Sequence, residues 1–373
     1  MSDGVRVAGV GMHAFGRFPD LTATDMGAVA VDAALQEAGS RQFDVAFCGT
    51  AYGGVAAGHR VLGVLGLTGG PIVDVEAGCA SGAAALAMAA GAIRTGQYRT
   101  ALCFGIEKMP AGVIRSSFFA PWQEAAGLTP APAYFALRAQ RLMADSGITK
   151  RHLADVVVKN RTNGIDNEHA MFRKPVSADE VLASKMICEP LHLFMLCSPN
   201  EGAAAVVLTA AGGGVQLKAC AIRSHLPGHV LNEGSPLSGL IDVDPVPPST
   251  LAVNDAYAAA GLGPDDLDVV ECQDTDAARE LLAYEELGLC EAGGSGDLLD
   301  SGATAIGGRI PVNPSGGLLS KGEPLGASAL GQVVELVQQL RGACGSRQVE
   351  GARVGLAHTI GRGANASATI LTR

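Results

Sequence analysis

Aromatic residues make up only 4% of the 373-residue chain, with a single tryptophan, and charged residues only 17%. So few rings argue against a core built on large anchors. Fifty glycines and a 48% hydrophobic share instead suggest close backbone packing of helices on sheets, as in a layered α/β protein. Nine cysteines are scattered through the chain, odd in number and without a C-x-x-C pair, which excludes a disulfide framework or a zinc knuckle. Long apolar runs are missing as well. The longest small-apolar stretch, ASGAAALAMAAGAI at 80–93, is too short to cross a bilayer and reads as a buried helix. The first residues, MSDGVRVAGVGMHAFG, pass directly into a strand-like run with no basic segment ahead of an apolar one, so a cytoplasmic protein is expected. Excess positive charge is also lacking: the net charge of −10 argues against a general nucleic-acid or anionic-membrane surface.

What is present alternates between strand and helix patterns. VRVAGVGM (5–12), DVAFCGTAY (44–52) and YRTALCFGIEKM (98–109) read as strands, and MGAVAVDAALQEAG (26–39) and the alanine-rich stretch at about 80–95 as helices. This rhythm predicts parallel pairing. From 110 to about 190 the pattern loosens, with Pro110, Pro121, Pro130 and Pro132 among short helical pieces, and an inserted loop domain is expected. EGAAAVVLTAA (201–211) supplies another strand and GGG at 212–214 a midpoint, dividing the chain into 1–214 and 215–373. The second half repeats the scheme, with a helix at 249–262, a strand at 266–274 and a helix at 277–289. In both halves a small-residue turn opens a buried helix, and a strand follows that ends in a functional-looking turn. The economical reading is a duplicated αβ unit.

Three features carry candidate chemistry. Cys79 lies between a strand and a small-residue helix, where a helix N-terminus stabilises a thiolate. Glu323 lies inside NPSGGLLSKGEPLGAS (313–328), a turn of glycine, serine and proline that has no need of an anion; it is either a helix-start carboxylate or a participant in chemistry. The segment 113–185 holds ten Lys and Arg against seven Asp and Glu in an otherwise acidic chain, so it would steer an anionic ligand. Cys103, Cys197 and Cys220, on or near apolar strands, are expected to fill the core, as is Cys272.

VEAGCASGAAALAMAAGAIRTGQYRTALCFGIEKM, NEGAAAVVL, ELLAYEELGLCEAG, NPSGGLLSKGEPLGASALGQVVELVQQLRG and LAHTIGRGANASATIL, in this order and across nearly the whole chain, resemble the thiolase superfamily, in particular its sterol-carrier-protein-x-type, lipid-transfer-like branch. The resemblance implies an α/β protein with a five-layered αβαβα fold of two similar halves, a loop domain covering bound CoA, and a homodimer. It implies no tightly bound cofactor, CoA or a carrier-protein thioester being the substrate. Cys79 matches the family's nucleophile, and Arg115, Arg138, Arg141, Arg173, Lys174 and Lys185 become candidates for the CoA phosphates.

The sequence departs from the family at its acid/base positions. Where the branch reads His-Asp-Cys-Phe this chain has Gln273, Asp274, Thr275 and Asp276; Gln273 retains a hydrogen-bond donor for an oxyanion, whereas Thr275 cannot shuttle protons near neutral pH. Where the family reads Gly-His-Pro, with a histidine that activates the cysteine, the chain has Gly322, Glu323 and Pro324. A buried carboxylate there is a base if its pKa is raised. His358 in LAHTIGRGA falls where the branch often reads His-Asn and is a candidate acid/base, with Thr359 at the position of a second catalytic cysteine in degradative thiolases. Three activities follow from the resemblance: acyl transfer through Cys79, retro-aldol cleavage of a β-hydroxyacyl-CoA with a small OB-fold, zinc-ribbon partner, or a scaffold whose catalytic set has decayed.

Overall fold

The computed structural model describes residues 4–112, 121–127, 129–226, 246–361 and 365–373. Its strands, in chain order, are β1 (Val5–Gly16), β2 (Val45–Gly49), β3 (Ile72–Val75), β4 (Thr100–Lys108), β5 (Met186–Cys188), β6 (Leu191–His192), β7 (Glu201–Thr209), β8 (Gln216–Arg223), β9 (Val269–Cys272), β10 (Val354–Ile360) and β11 (Ala366–Thr372). Nine of them form one sheet in the order β3-β2-β4-β7-β1-β8-β11-β10-β9, and β5 and β6 form a separate hairpin. The two halves of the sheet meet at the short β1–β8 pairing, Val5 opposite Leu217 and Arg6 opposite Gln216.

The pairing is repeated. β2 runs parallel to β4, β4 antiparallel to β7 and β7 antiparallel to β1; likewise β9 runs parallel to β10, β10 antiparallel to β11 and β11 antiparallel to β8. The sheet is therefore mixed, and the expectation of parallel pairing holds only for β2 with its neighbours β3 and β4 and for β9 with β10; the other pairs, β4–β7, β7–β1, β1–β8, β8–β11 and β11–β10, are antiparallel.

Three apolar clusters give the layers. One packs the helices Ala23–Glu37 and Ala57–Val64 on the outer face of the first half-sheet. A second surrounds the helices Ser81–Arg94 and Leu325–Arg341, which lie between the half-sheets. A third covers the outer face of the second half-sheet with the helices Pro248–Ala260 and Ala277–Glu286, and extends into residues 131–195. The order is helix, sheet, helix, sheet, helix, burying every sheet face. The central helices are small-residue-rich because their starts nearly touch, a Cβ on Gly82 lying 2.8 Å from the Gly326 carbonyl oxygen, and because strand ends crowd the same place, a Cβ on Gly105 lying 2.1 Å from that oxygen and one on Gly326 2.6 Å from the carbonyl oxygen of Gly49.

The segment expected as an inserted loop domain of short helical pieces is mostly helical where described, with helices Pro121–Ala125, Ala131–Ser146, Lys150–Asn163 and Ala178–Ala183 ahead of the β5–β6 hairpin. Three of its prolines mark helix starts: Pro121 opens Pro121–Ala125, Pro130 is the N-cap of Ala131–Ser146 and Pro132 lies in its first turn. Among the described residues no helix is long and apolar enough to cross a membrane.

Candidate active site

Cys79 follows Gly78 in a single 3-10 turn, Gly78–Ala80, that leads straight into the helix Ser81–Arg94. The turn is held by the Ser81 hydroxyl, which donates to the Gly78 carbonyl at 2.6 Å and accepts from the Ala77 N–H at 2.9 Å. The thiol is 7% exposed and faces a cavity of about 1440 Å³. The opposite wall is the strand-like segment 196–200, which bridges both Asp276 and Glu323.

Glu323 is pinned through its backbone, its N–H donating to the Ser198 carbonyl at 2.9 Å. Gly322 ahead of it has φ +84°, and a Cβ there would fall 2.0 Å from Nδ2 of Asn200, so only glycine makes this turn. The Glu323 carboxylate accepts hydrogen bonds from Cys197 Sγ at 3.4 Å and from Gln273 Nε2 at 2.6 Å, and the Cys79 thiol beside it is a third donor that favours its charged form. Burial raises its pKa above the usual 4.5, and these three donors oppose the shift by favouring the charged form.

No side chain caps the start of the helix Leu325–Arg341. The carboxylate that meets its first turn is Glu107, at the end of β4, whose Oε2 accepts from the Gly326 N–H at 3.1 Å and from the Ala51 N–H at 2.9 Å while Oε1 accepts from the Tyr52 N–H at 3.0 Å. A cap is therefore present, but it comes from the other half of the molecule. Glu323 turns away from its own helix and toward the thiols.

Of the other candidates, Gln273 is 1% exposed and does not line the cavity. Its amide joins Glu323 to β10, with Oε1 accepting from the Ile360 N–H at 2.6 Å. Expected as an oxyanion donor, it stands instead behind Glu323 and orients it. His358 is fully buried and absent from the cavity wall. Neither ring nitrogen has a hydrogen-bond partner among the described residues, and burial, aided by Arg279, pushes its pKa down to about 3. A neutral imidazole sealed beneath the cavity cannot exchange protons with a substrate, so the structure does not place His358 for acid/base work.

The cationic candidates separate. Arg138, Arg173 and Lys174 line the cavity, although Arg138 is committed to Asp276 at 2.5 Å. Arg141 is exposed and paired with Asp145, and Lys185 is exposed away from the cavity wall. Arg115 lies outside the described residues.

Two residues that sequence reasoning left aside line the cavity. Cys197, expected in the core, faces Glu323; its signal was its place just before the NEGAAAVVL strand, on a segment that carries no periodicity of its own. Arg161, on the helix Lys150–Asn163, is 7% exposed, with its guanidinium carbon 4.0 Å from the ring centroid of Phe172 and 5.9 Å from that of Phe194. Cys272 is a core residue as expected, its N–H bonded to Asn313 Oδ1 at 2.9 Å. Among the described residues no group of His, Cys, Asp or Glu could hold a metal ion.

A two-half αβαβα scaffold with a cysteine at the first central helix start and a facing residue just before the second defines a thiolase-like class. Residues 5–212 match the thiolase N-terminal domain and residues 241–373 the thiolase C-terminal domain-like family, so the chain belongs to the thiolase family. It is 36% identical to an acetyl-CoA acetyltransferase of Methanothermobacter thermautotrophicus over 99% of both chains, and 35% identical to human sterol carrier protein 2 over 96% of this chain and 70% of that one. Benzoylsuccinyl-CoA thiolase subunit BbsB of Thauera aromatica is 32% identical over 98% of this chain and 96% of its own. Among solved structures, the Ltp2-ChsH2(DUF35) aldolase superposes with a TM-score of 0.87 at 24% identity, over 99% of this chain and 97% of that one. The Acat5 thiolase of Ascaris suum in complex with coenzyme A superposes with a TM-score of 0.72 at 18% identity, over the full length of both.

Proposed function

We propose that the protein is a thiolase-type acyltransferase in which Cys79 takes an acyl group from a CoA thioester and Glu323 replaces the usual histidine as its base. The observation that carries this is that Cys79 and Glu323 stand together in the wall of one cavity, large enough for an acyl chain and a pantetheine arm. The ionised carboxylate accepts the Cys79 proton, and the sulfur attacks the thioester carbonyl. A Cys79–acyl bond forms, the bond to the CoA sulfur breaks, and neutral Glu323 returns its proton to that departing sulfur. In the second half-reaction an acceptor displaces Cys79 and regenerates the thiol. Cys197 and Gln273 serve Glu323: both donate to its carboxylate, so both favour the ionised base. An acetyl-CoA acetyltransferase at 36% identity across the full length supports acyl-CoA as the substrate class.

The test is intact-protein mass spectrometry after incubation with short acyl-CoAs, with release of CoA followed in parallel. An acyl adduct on the wild-type protein and none on Cys79→Ala is expected; equal adducts on both would remove Cys79 from the mechanism. The second reading, retro-aldol cleavage with a DUF35-type partner, draws on the likeness to the Ltp2-ChsH2 aldolase. It is tested in the same assay with a β-hydroxyacyl-CoA and such a partner: cleavage to a carbonyl product without any Cys79 adduct would favour it over acyl transfer.

A further inference from the structure

The inward side of the helix Lys150–Asn163 carries a row of polar side chains, and nearly all are matched. Lys159 pairs with Glu280 at 2.8 Å and donates to the Val312 carbonyl at 2.7 Å. Asn160 donates to Asp274 at 2.8 Å and to Glu280 at 2.6 Å, and Asn163 donates to the Asn313 carbonyl at 3.0 Å. Arg161 breaks the series. It is 93% buried by its 7% exposure, it forms part of the cavity wall, and among the described residues it has neither a carboxylate nor any other hydrogen-bond acceptor; its Nε is sealed from solvent and unbonded. The acidic residues lining the same cavity are engaged elsewhere: Glu323 with Cys79, Cys197 and Gln273, Glu180 with Ser177, and Glu76 with the Gly78 N–H.

A buried guanidinium with no anion is costly to keep, and contact with aromatic faces offsets only part of that cost. Phe172 covers a face of the group, so what stays available is its edge, where two N–H groups lie in one plane and match a carboxylate. We propose that Arg161 is the binding residue for a carboxylate carried on the acyl group, so that the preferred substrates are acyl-CoAs with a second, free carboxyl group. The inference rests on the acyl-CoA reading above. The CoA phosphates are the less suitable anion: they carry several charges and stay hydrated, whereas Arg161 is enclosed between Phe172 and Phe194, and the solvent-facing cations of the cavity are Arg173 and Lys174.

The experiment uses full-length Cys79→Ala protein, which cannot turn substrate over through that sulfur, and measures binding by calorimetry. The probes are ω-carboxyacyl-CoAs of four to six carbons, the unsubstituted acyl-CoAs of the same carbon number, and free CoA. At one or more chain lengths the carboxylated member should bind about 10-fold to 100-fold more tightly than its partner, the scale of a buried charge-assisted pair. Adding Arg161→Gln should bring that ratio close to one, with free CoA binding much less affected. Equal affinity of the paired ligands at every length overturns the proposal, and this comparison needs no Arg161 variant to fold. An Arg161→Gln loss that is as large for free CoA as for the carboxylated ligand also overturns it, because Arg161 would then serve the phosphates. If no acyl-CoA binds at all, the acyl-CoA reading fails and takes this one with it; binding without discrimination removes this one alone.

Discussion

At the scale of single residues, the functional question turns on Glu323 and the donors around it. A general base must be ionised to act, so acylation should fall as pH drops through the Glu323 pKa, and because burial raises that pKa the limb should lie above the usual 4.5. Cys197→Ala removes a donor that favours the ionised form, which should move the limb to higher pH; a limb that stays in place would show that Cys197 has no hold on the carboxylate. Glu323→Gln should slow acylation by about 10²-fold or more, the usual scale for a lost general base. Its folded stability should change little, since the helix start is capped by Glu107. Wild-type acylation by Glu323→Gln with a lowered Tm would return Glu323 to a structural role. The positions of Cys79 and Glu323 stood out in the sequence, a thiol at a helix start and an acid in a glycine turn, while the roles expected of them came from the family resemblance. The setting of His358 was not legible: strand alternation sets it on the same face as Leu356 and Ile360, but only Ile360, at the strand end, reaches the cavity. One sequence gives the face of a strand residue, not its depth.

At the scale of elements, the two central helices bring the site together, and their contact depends on Glu107. This carboxylate is fully buried and joins the turn after β2, the end of β4 and the first turn of the helix Leu325–Arg341. Glu107→Ala would leave the Ala51, Tyr52 and Gly326 N–H groups without an acceptor, a loss of about 3–5 kcal/mol if they stay dry. Chemical denaturation followed by circular dichroism should show that drop, with acylation reduced in the folded protein because the helix start carrying Glu323 loosens. A drop under about 1 kcal/mol would mean that water or a local shift satisfies these groups. Glu107 was visible in the sequence as part of GIEKM, but its partner 219 residues away was not. The helices themselves were legible from periodicity and small-residue content to within a few residues of their ends: the stretch at about 80–95 is Ser81–Arg94, and 249–262 is Pro248–Ala260. Pairing direction was less so, because alternation of strands and helices says nothing about strands that pair from distant parts of the chain, such as β4 with β7 and β8 with β11.

At the scale of the whole molecule, charge is unevenly spread, and that asymmetry reaches the cavity. The chain has a net charge of −10, yet ten of its 27 Lys and Arg fall in 113–185, the segment that supplies much of the cavity wall. Many of these cations are occupied: Arg138 by Asp276, Arg141 by Asp145, Arg151 by Asp155, Lys150 by Glu189 and Lys159 by Glu280. Arg173 and Lys174 have no carboxylate partner among the described residues and line the cavity, exposed to solvent. A polyanion such as CoA approaching an acidic protein would meet its least unfavourable potential there. Removing both charges in Arg173→Gln/Lys174→Gln should weaken CoA binding by about 5-fold to 10-fold at low salt, each exposed contact contributing up to about 1 kcal/mol. Raising the ionic strength should shrink the difference, because exposed charges are screened beyond about 10 Å at 0.1 M. Arg141→Gln is the control, since its charge is already neutralised by Asp145 and it lies away from the cavity wall. Titration of free CoA into the three proteins at two salt concentrations decides the matter. If the double variant binds as wild type does at low salt, the basic excess of this segment serves its internal ion pairs and the phosphates dock elsewhere.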